Sequence, residues 1–183
     1  MADKKIIIGL VGEIAAGKGA AVEYLVKKYN ASSYRFSTPL RDLLNRLYLE
    51  INRKNMQDIS TILRGRFGQD LLANSIAEDV KNDNNKIIVV DGIRRPADIE
   101  YLKKLPEFKL VYITAEAEAR YRRLLKRGEN EDDKNKTFKQ FLKDHEAETE
   151  LEISKIGGTA DYKINNSGPI KKLYKQIDEI IRN

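Results

Sequence analysis

Short apolar runs alternate with longer amphipathic segments along this chain, and this alternation predicts its fold. The runs expected to form strands cover residues 6–11, 33–36, 87–91, 108–113 and 160–165. Between them, apolar residues recur at helical spacing, beginning with the segment 18–30 and ending with the segment 170–181. Strands that alternate with helices favour a parallel sheet covered on both faces. We therefore expect an α/β protein with a three-layer, doubly wound sheet of five parallel strands.

The longest interval between predicted strands, residues 37–81, carries three predicted helices. The first opens at Thr38 as its N-cap, with Pro39 in the first turn. Its apolar residues are expected to share one buried face and comprise Leu40, Leu43, Leu44, Leu47, Tyr48 and Ile51. Further helices are predicted at residues 56–66, 68–81, 96–103 and 137–148.

The loop after the first predicted strand has the spacing G-x-x-x-x-G-K over residues 12–18, and we name it the phosphate loop. Such a loop lets backbone N–H groups converge on phosphate oxygens, while the next helix presents its positive end and Lys18 adds a charge. An ordinary strand-to-helix turn would need one glycine and no lysine. The sequence therefore predicts nucleotide binding, with contacts from Gly12, Glu13, Ala15, Ala16, Gly17, Lys18, Gly19 and Ala20.

The residues after Lys18 depart from the general pattern, because Gly19 and Ala20 stand where a Ser or Thr hydroxyl commonly binds Mg²⁺. The metal would then need an acidic side chain from elsewhere. Asp91 ends the third predicted strand, at the carboxyl edge where ligands collect in such sheets. We expect it to hold water molecules of the Mg²⁺ shell, with Arg94 or Arg95 reaching substrate phosphate. The alternatives are a turn or N-cap aspartate followed by a solvated arginine pair.

Arginines are concentrated after predicted strand ends, and planar, bidentate phosphate contacts favour arginine over lysine. Arg120, Arg123 and Arg127 fall at i, i+3 and i+7 of the helix that follows the fourth strand, so they share one face. That face is either an exposed basic surface or a row directed at phosphate.

The composition narrows the chemistry. The chain has no cysteine, which excludes thiolate catalysis. It has a single histidine, His145, which argues against a histidine-built metal site or a serine-type triad. The groups that remain for catalysis are Lys, Arg and Asp side chains and backbone groups, and these are the groups that phosphoryl transfer uses. The net charge of +6 fits an anionic partner, but no aromatic-rich basic strip suits stacking on nucleic-acid bases. No segment approaches the roughly 20 apolar residues of a membrane span, so we expect a cytoplasmic protein without a membrane partner.

Several segments resemble known kinases. The G-K-G at residues 17–19 and the D-G-x-x-R at residues 91–95 resemble adenylate kinases, which implies that Arg95 contacts the acceptor phosphate. Residues 160–168 resemble the end of dephospho-CoA kinases, which implies that Asn166, Gly168 and Pro169 lie near the ATP adenine. The middle, residues 36–68, is similar to phage-type deoxynucleoside monophosphate kinases and to an archaeal group of dephospho-CoA-kinase-like proteins. Over its whole length the chain resembles the P-loop kinases of nucleotides and nucleosides.

This resemblance implies an ATP- and Mg²⁺-dependent phosphotransferase whose acceptor is a (deoxy)nucleoside monophosphate, with dephospho-CoA as the alternative. A nucleotide-binding regulator or a nucleic-acid-associated ATPase is the alternative from another class. The expected catalytic residues are Lys18, Asp91, Arg95, Arg123 and Arg127, with Arg120 on the ATP. The expected acceptor contacts are Thr38, Arg41, Asp42, Arg64, Arg94 and Arg95.

One domain fits 183 residues. Its core would comprise residues 1–36, 82–127 and 159–183, with the helical insertion 37–81 binding the acceptor. Residues 128–158 would form a lid that excludes water, within which His145 is an exposed helical residue. We expect a monomer or a homodimer.

Overall fold

The computed structural model describes residues 5–127, 136–144 and 148–182, and within them five parallel strands form one sheet in the order β2-β3-β1-β4-β5. The strands are β1 (Ile6–Val11), β2 (Ser32–Arg35), β3 (Ile87–Asp91), β4 (Phe108–Thr114) and β5 (Tyr162–Asn165). The predicted α/β class and the parallel sheet are confirmed. All five predicted strands are present, with their ends shifted by at most two residues.

Helices flank the sheet on both faces. They are α1 (Lys18–Tyr29), α2 (Thr38–Arg46), α3 (Arg53–Phe67), α4 (Leu71–Asn82), α5 (Ala117–Arg127), α6 (Phe138–Asp144), α7 (Glu148–Gly158) and α8 (Ile170–Arg182), with short 3₁₀ turns at Pro96–Ile99 and Leu102–Lys104. None of the helices within the described residues is long and apolar enough to cross a membrane.

The two faces of the sheet each carry a hydrophobic core. Along β1, Ile7 and Val11 belong to one cluster, whereas Ile8 and Leu10 belong to the other. Residues of α1 and α8 cover the second cluster, and residues of α2, α4 and α7 cover the first. Burial on both faces explains why the strands are continuous apolar runs rather than alternating ones. The predicted three-layer arrangement is therefore observed.

The first inserted helix is shorter than predicted, because α2 ends at Arg46. The chain then reverses in a Schellman motif, in which the Leu49 N–H donates to the Leu44 carbonyl at 2.9 Å and the Tyr48 N–H donates to the Asn45 carbonyl at 3.0 Å. Tyr48 holds the left-handed position of this motif, with φ 57°. Glycine usually occupies that position, so the sequence carries no signal for this helix end.

The predicted buried face of this helix is consequently wrong beyond residue 46. Leu40 and Leu44 are buried, but Tyr48 is 92% exposed, and Leu47 and Ile51 are exposed as well. The start of the helix also differs by one residue, since Ser37 is the N-cap in place of Thr38.

Two other segments differ from the prediction. Residues 96–103 form two 3₁₀ turns instead of one helix. The helix predicted at residues 137–148 is observed as α6, while α7 was not predicted. Ile153 and Ile156 pack α7 against the first core cluster. The last two residues of this helix are Gly157 and Gly158, and glycine commonly breaks a helix. His145 and residues 128–135 of the predicted lid lie outside the described residues.

A carboxylate joins α1 to α8. Asp178 accepts hydrogen bonds from the Tyr24 hydroxyl at 2.8 Å, the Tyr29 hydroxyl at 2.7 Å and the Lys28 ammonium at 2.7 Å. The Tyr24 ring also stacks on Tyr174, with ring centroids 4.0 Å apart. Burial acts to raise the pKa of Asp178, but the hydrogen bonds from Lys28, Tyr29 and Tyr24 outweigh it and lower the pKa to about 2. The charged carboxylate therefore stabilises the contact between these helices.

We expect Asp178→Asn to lower the free energy of unfolding near neutral pH by about 1–3 kcal/mol, because hydrogen bonds to a charged acceptor are lost. The folded pKa is below that of the unfolded chain, so the stabilisation is complete above about pH 4 and is lost as pH falls toward about 2. Urea unfolding should therefore show a gap between the proteins near pH 7 that narrows near pH 3. Glu23→Gln, which breaks an exposed pair with Lys27, should change stability by less than about 1 kcal/mol at either pH. A gap that does not vary with pH would contradict the role of the charge.

Candidate functional site

The phosphate loop turns sharply between β1 and α1. Ala15 has φ 58° and Gly17 has φ 112°, both left-handed conformations. A Cβ atom at Gly12 would collide with the Ile113 carbonyl oxygen, and one at Gly17 would collide with the Asn166 side chain. Two of the three glycines at this turn are thus required by close approaches, whereas the third, Gly19, faces open space.

The lysine of the motif lies across this loop. The Lys18 ammonium donates to the Gly12 carbonyl at 2.6 Å and to the Glu13 carbonyl at 3.1 Å. Lys18 is also the first residue of α1, so the ammonium and the N-terminal amides of that helix are at the same end. The arrangement is suited to an anion, because both features favour negative charge.

Asn166 fixes the phosphate loop to the other half of the sheet. This residue is buried, and its side-chain amide donates to the Ala16 carbonyl at 2.8 Å. The backbone N–H of Asn166 donates to the Thr114 carbonyl at 2.8 Å, and the backbone carbonyl of Asn166 accepts from Arg123 Nη2 at 2.6 Å. The resemblance to dephospho-CoA kinases implies a backbone contact of Asn166 with adenine. The structure gives its side chain a different task, which is to hold the loop.

Two members of the predicted arginine row of α5, Arg120 and Arg123, pack against the protein. Arg120 is buried, with its Nε donating to the Ala115 carbonyl at 2.9 Å and its guanidinium carbon 5.6 Å from the centre of the Phe141 ring. Arg123 is half-buried, and burial lowers its pKa, as does the neighbouring charge of Arg122. The side chain of Arg127 lies outside the described part of the structure. Arg120 therefore joins α5 to α6, while Arg123 contacts Asn166, the residue that holds the phosphate loop.

Asp91 ends β3 beside the phosphate loop. One of its oxygens, Oδ1, is buried and has no hydrogen-bond partner among the described residues. The other, Oδ2, lies 3.8 Å from Arg35 Nε. Asp91 is not a helix cap, because the next turn begins at Pro96 with Arg95 as its N-cap. A buried carboxylate oxygen without a donor at this edge fits a water molecule of a Mg²⁺ shell, so the residues present are compatible with the metal.

The phosphate loop contains a carboxylate of its own. The Tyr112 hydroxyl donates to Glu13 Oε1, while Oε2 is buried without a hydrogen-bond partner within the described ranges. Burial and the hydrogen bond to Glu13 raise the pKa of Tyr112 to about 12, so its proton stays in place. Gly157 of α7 packs flat on the Tyr112 ring, where a Cβ atom would lie 2.7 Å from ring carbon. This contact connects α7 to the phosphate loop.

The other predicted contact residues are distributed around the same edge. Thr38, Arg41 and Asp42 are exposed on α2, Arg94 and Arg95 are exposed after β3, Gly168 and Pro169 are exposed after β5, and Ala20 is half-buried in α1. Arg64 is different, because its side chain is 11% exposed. Burial lowers the pKa of Arg64, and the nearby charge of Arg95 lowers it further. Asp98 links the segments of Arg64 and Arg95, since its Oδ1 lies 3.9 Å from Arg64 Nη2 and its Oδ2 accepts the backbone N–H of Arg95.

Three residues near the site were missed by sequence reasoning, namely Arg35, Tyr112 and Asp98. Arg35 is the last residue of β2 and lies opposite Asp91 in the register, so its position at a strand end was an available signal. Asp98 follows Arg95 at the spacing of a capping box, which was also readable. Tyr112 gave no signal, because the pairing with Glu13 depends on tertiary structure.

Comparison with solved structures identifies the fold. The sheet and phosphate loop form a P-loop kinase-like fold, as in shikimate kinase from Aquifex aeolicus, with a TM-score of 0.56, 18% identity, and coverage of 97% of this chain and 96% of that chain. TT1252 from Thermus thermophilus is similar too, with a TM-score of 0.59, 12% identity, and coverage of 98% and 97%. At such identities the likeness shows the fold alone.

Sequence comparison gives the family. A family model described as an AAA domain matches residues 11–139. A UPF0200 protein from Pyrococcus abyssi is 30% identical, covering 97% of this chain and 96% of the relative, and one from Methanothermobacter thermautotrophicus is 29% identical over 97% and 90%. The chain therefore belongs to the AAA-domain family of P-loop NTPases and is a member of the UPF0200 proteins. The resemblance to P-loop kinases stated from the sequence is confirmed.

We expect Gly17→Ala to weaken nucleotide binding by about tenfold or more, because the added methyl group enters a left-handed position against Asn166. Gly65→Ala in α3 is the control, since open space surrounds a Cβ atom there and Gly65 is not among the predicted nucleotide contacts. Titration of a fluorescent ATP analogue with Mg²⁺ would measure both affinities, and circular dichroism would confirm that both variants fold. Equal affinities in the two variants would contradict this description of the loop.

Proposed function

We propose that this protein is an ATP-dependent phosphotransferase that moves the γ-phosphoryl group of Mg-ATP to a small nucleotide, a (deoxy)nucleoside monophosphate. The observation that carries the proposal is the convergence of three features at one edge of the sheet. These are the phosphate loop with Lys18, the Asp91 carboxylate with a buried oxygen that lacks a partner among the described residues, and Arg64 beside the Asp98-bonded loop that carries Arg95. Phosphoryl transfer needs positioning and charge neutralisation above all, and these groups supply both.

On the donor side, the loop amides and Lys18 would bind the β- and γ-phosphates of ATP. Arg123, Arg127 and Arg95 would neutralise charge on the transferring group, and Arg120 would contact the ATP. Asp91 would hold the hydration shell of Mg²⁺, which supplies charge neutralisation when bound. Because Gly19 and Ala20 have no hydroxyl, this duty falls on Asp91. Residues Asn166, Gly168 and Pro169 would border the adenine.

On the acceptor side, we assign the binding surface to α2, α3 and α4, with contacts from Thr38, Arg41, Asp42 and Arg64. An acceptor that is already a phosphate needs no strong general base. A hydroxyl acceptor such as dephospho-CoA would need a carboxylate, and Asp42 is the residue we assign to that alternative. We assign α6 and α7 to a lid that excludes water from the reaction. The contact of α7 with Tyr112 supports this, since Tyr112 bonds Glu13 of the phosphate loop.

A second candidate function is a nucleotide-binding regulator or a nucleic-acid-associated ATPase. The missing hydroxyl at Gly19 and the isoelectric point near 9.3 favour it. Nucleic-acid binding that weakens steeply with salt would support this candidate. No association at low salt would remove the nucleic-acid branch.

We expect acceptor-dependent ADP formation with one member of a panel of ribo- and deoxynucleoside monophosphates and dephospho-CoA, each tested with Mg-ATP. Lys18→Ala should reduce the rate by about 100-fold or more, because a charge aimed at the transferring phosphate is lost. Asp91→Ala should be about as damaging. Lys27→Ala is the control, since Lys27 is exposed on the same helix as Lys18, and it should keep full activity.

A folded protein that is silent toward the whole panel would contradict the proposed function. If Asp91→Ala is nearly harmless while Lys18→Ala is not, the metal role of Asp91 is wrong.

A further inference from the structure

The loop after β3 is held by a buried carboxylate. Asp98 lies in the 3₁₀ turn Pro96–Ile99 and is 3% exposed. Its Oδ2 atom accepts hydrogen bonds from the backbone N–H of Arg94 at 2.9 Å and from that of Arg95 at 3.0 Å. Two backbone donors on one oxygen fix the conformation of the segment that carries both arginines.

The other oxygen of this carboxylate faces the inserted helices. Asp98 Oδ1 is buried and has no hydrogen-bond partner in the described part of the chain. Arg64 Nη2, from α3, lies 3.9 Å away, which is within ion-pair range but too far for a hydrogen bond. Arg64 is held in addition by its Nε donating to Ser60 Oγ at 3.3 Å and by its Nη1 donating to the Gln69 carbonyl. One aspartate thus contacts both the loop after β3 and the insertion.

The charges in this cluster do not balance. Arg64 and Arg95 lie close enough that the charge of Arg95 lowers the pKa of Arg64, and burial lowers it more. The Arg64 guanidinium lies 3.9 Å from the Asp98 carboxylate, whose Oδ2 already accepts two backbone N–H groups, one of them from Arg95. Like charges at short range repel, and an anion between them removes the repulsion. Guanidinium groups match phosphate oxygens in a bidentate manner, which indicates a phosphate group as the ligand.

We propose that Asp98 is a positioning residue that holds Arg64 and the loop carrying Arg95 as one anion-binding site, and that this site takes a phosphate group already present on the acceptor. Naming the ligand as the acceptor rests on the proposed function, whereas binding of phosphate at the site does not. The consequence for specificity is that a nucleoside without a phosphate group is a poor acceptor. Asp98 would touch neither substrate and would act through the two arginines.

The test measures binding of inorganic phosphate by isothermal titration calorimetry, with Mg-ADP at saturating concentration so that the phosphate loop is filled. We expect Asp98→Asn and Arg64→Lys each to weaken phosphate binding by about tenfold, because the first removes the charge that orients Arg64 and the second removes the planar fork. The affinity for Mg-ADP should not change in either variant. Arg64→Lys provides the answer if Asp98→Asn does not fold.

Asp83→Asn is the matched control. Asp83 accepts a backbone N–H from Asn85 at 2.8 Å and the Tyr34 hydroxyl at 2.9 Å, so its bonding is comparable to that of Asp98. It precedes β3 and therefore lies at the amino ends of the strands, opposite the candidate site. Phosphate binding should survive this change, even if the stability falls. A merely structural role of Asp98 would lower thermal stability in both Asp variants without a selective loss of phosphate affinity.

The outcomes separate this inference from the proposed function. No phosphate binding by the wild-type protein with Mg-ADP, or equal binding in all variants, would overturn the anion site, even if the kinase assay succeeds. Selective loss in Asp98→Asn and Arg64→Lys would support the site, even if no acceptor in the panel is phosphorylated. Where an acceptor is found, the same variants should raise its KM by about tenfold and change kcat less.

Discussion

The hydrogen bond from the buried Asn166 amide to the Ala16 carbonyl is the interaction on which the candidate site depends. The phosphate loop connects β1 to α1, whereas Asn166 follows β5. The bond therefore links the central strand of the sheet to an outermost strand. Gly17 makes the approach possible because it has no side chain. Arg123 donates to the Asn166 carbonyl and thereby extends the connection to α5. The shape of the loop is consequently a tertiary property as well as a local one.

The carboxyl edge of the sheet combines two kinds of rigid support. Backbone geometry sets the phosphate loop, and buried carboxylates set the segments around it. Glu13 accepts a hydrogen bond from Tyr112, whose ring contacts α7. Asp98, which lies beside α3, accepts hydrogen bonds from the loop after β3. Through these two acids the segments that we assign to the lid and to the acceptor surface are each connected to the core.

Much of the fold could be predicted because burial leaves a plain pattern. Runs such as residues 6–11 and 87–91 are apolar because parallel strands are covered on both faces. The end of α2 could not be predicted, because Tyr48 holds the left-handed position that glycine normally occupies at a helix end. The site divides in the same way. Lys18 and Asp91 stand at local motifs, whereas the partners Glu13 with Tyr112 and Arg64 with Asp98 are far apart in sequence and meet through the topology.

The most direct test of the central account follows the γ-phosphorus of ATP. The protein would be incubated with Mg-ATP labelled at that atom and with the nucleotide acceptors, and the labelled products would be separated by chromatography. The account predicts that the label moves to an organic acceptor, because the site positions a second phosphate and excludes water. Label found in inorganic phosphate alone, at a rate that no acceptor alters, would contradict it and would define the protein as an ATPase.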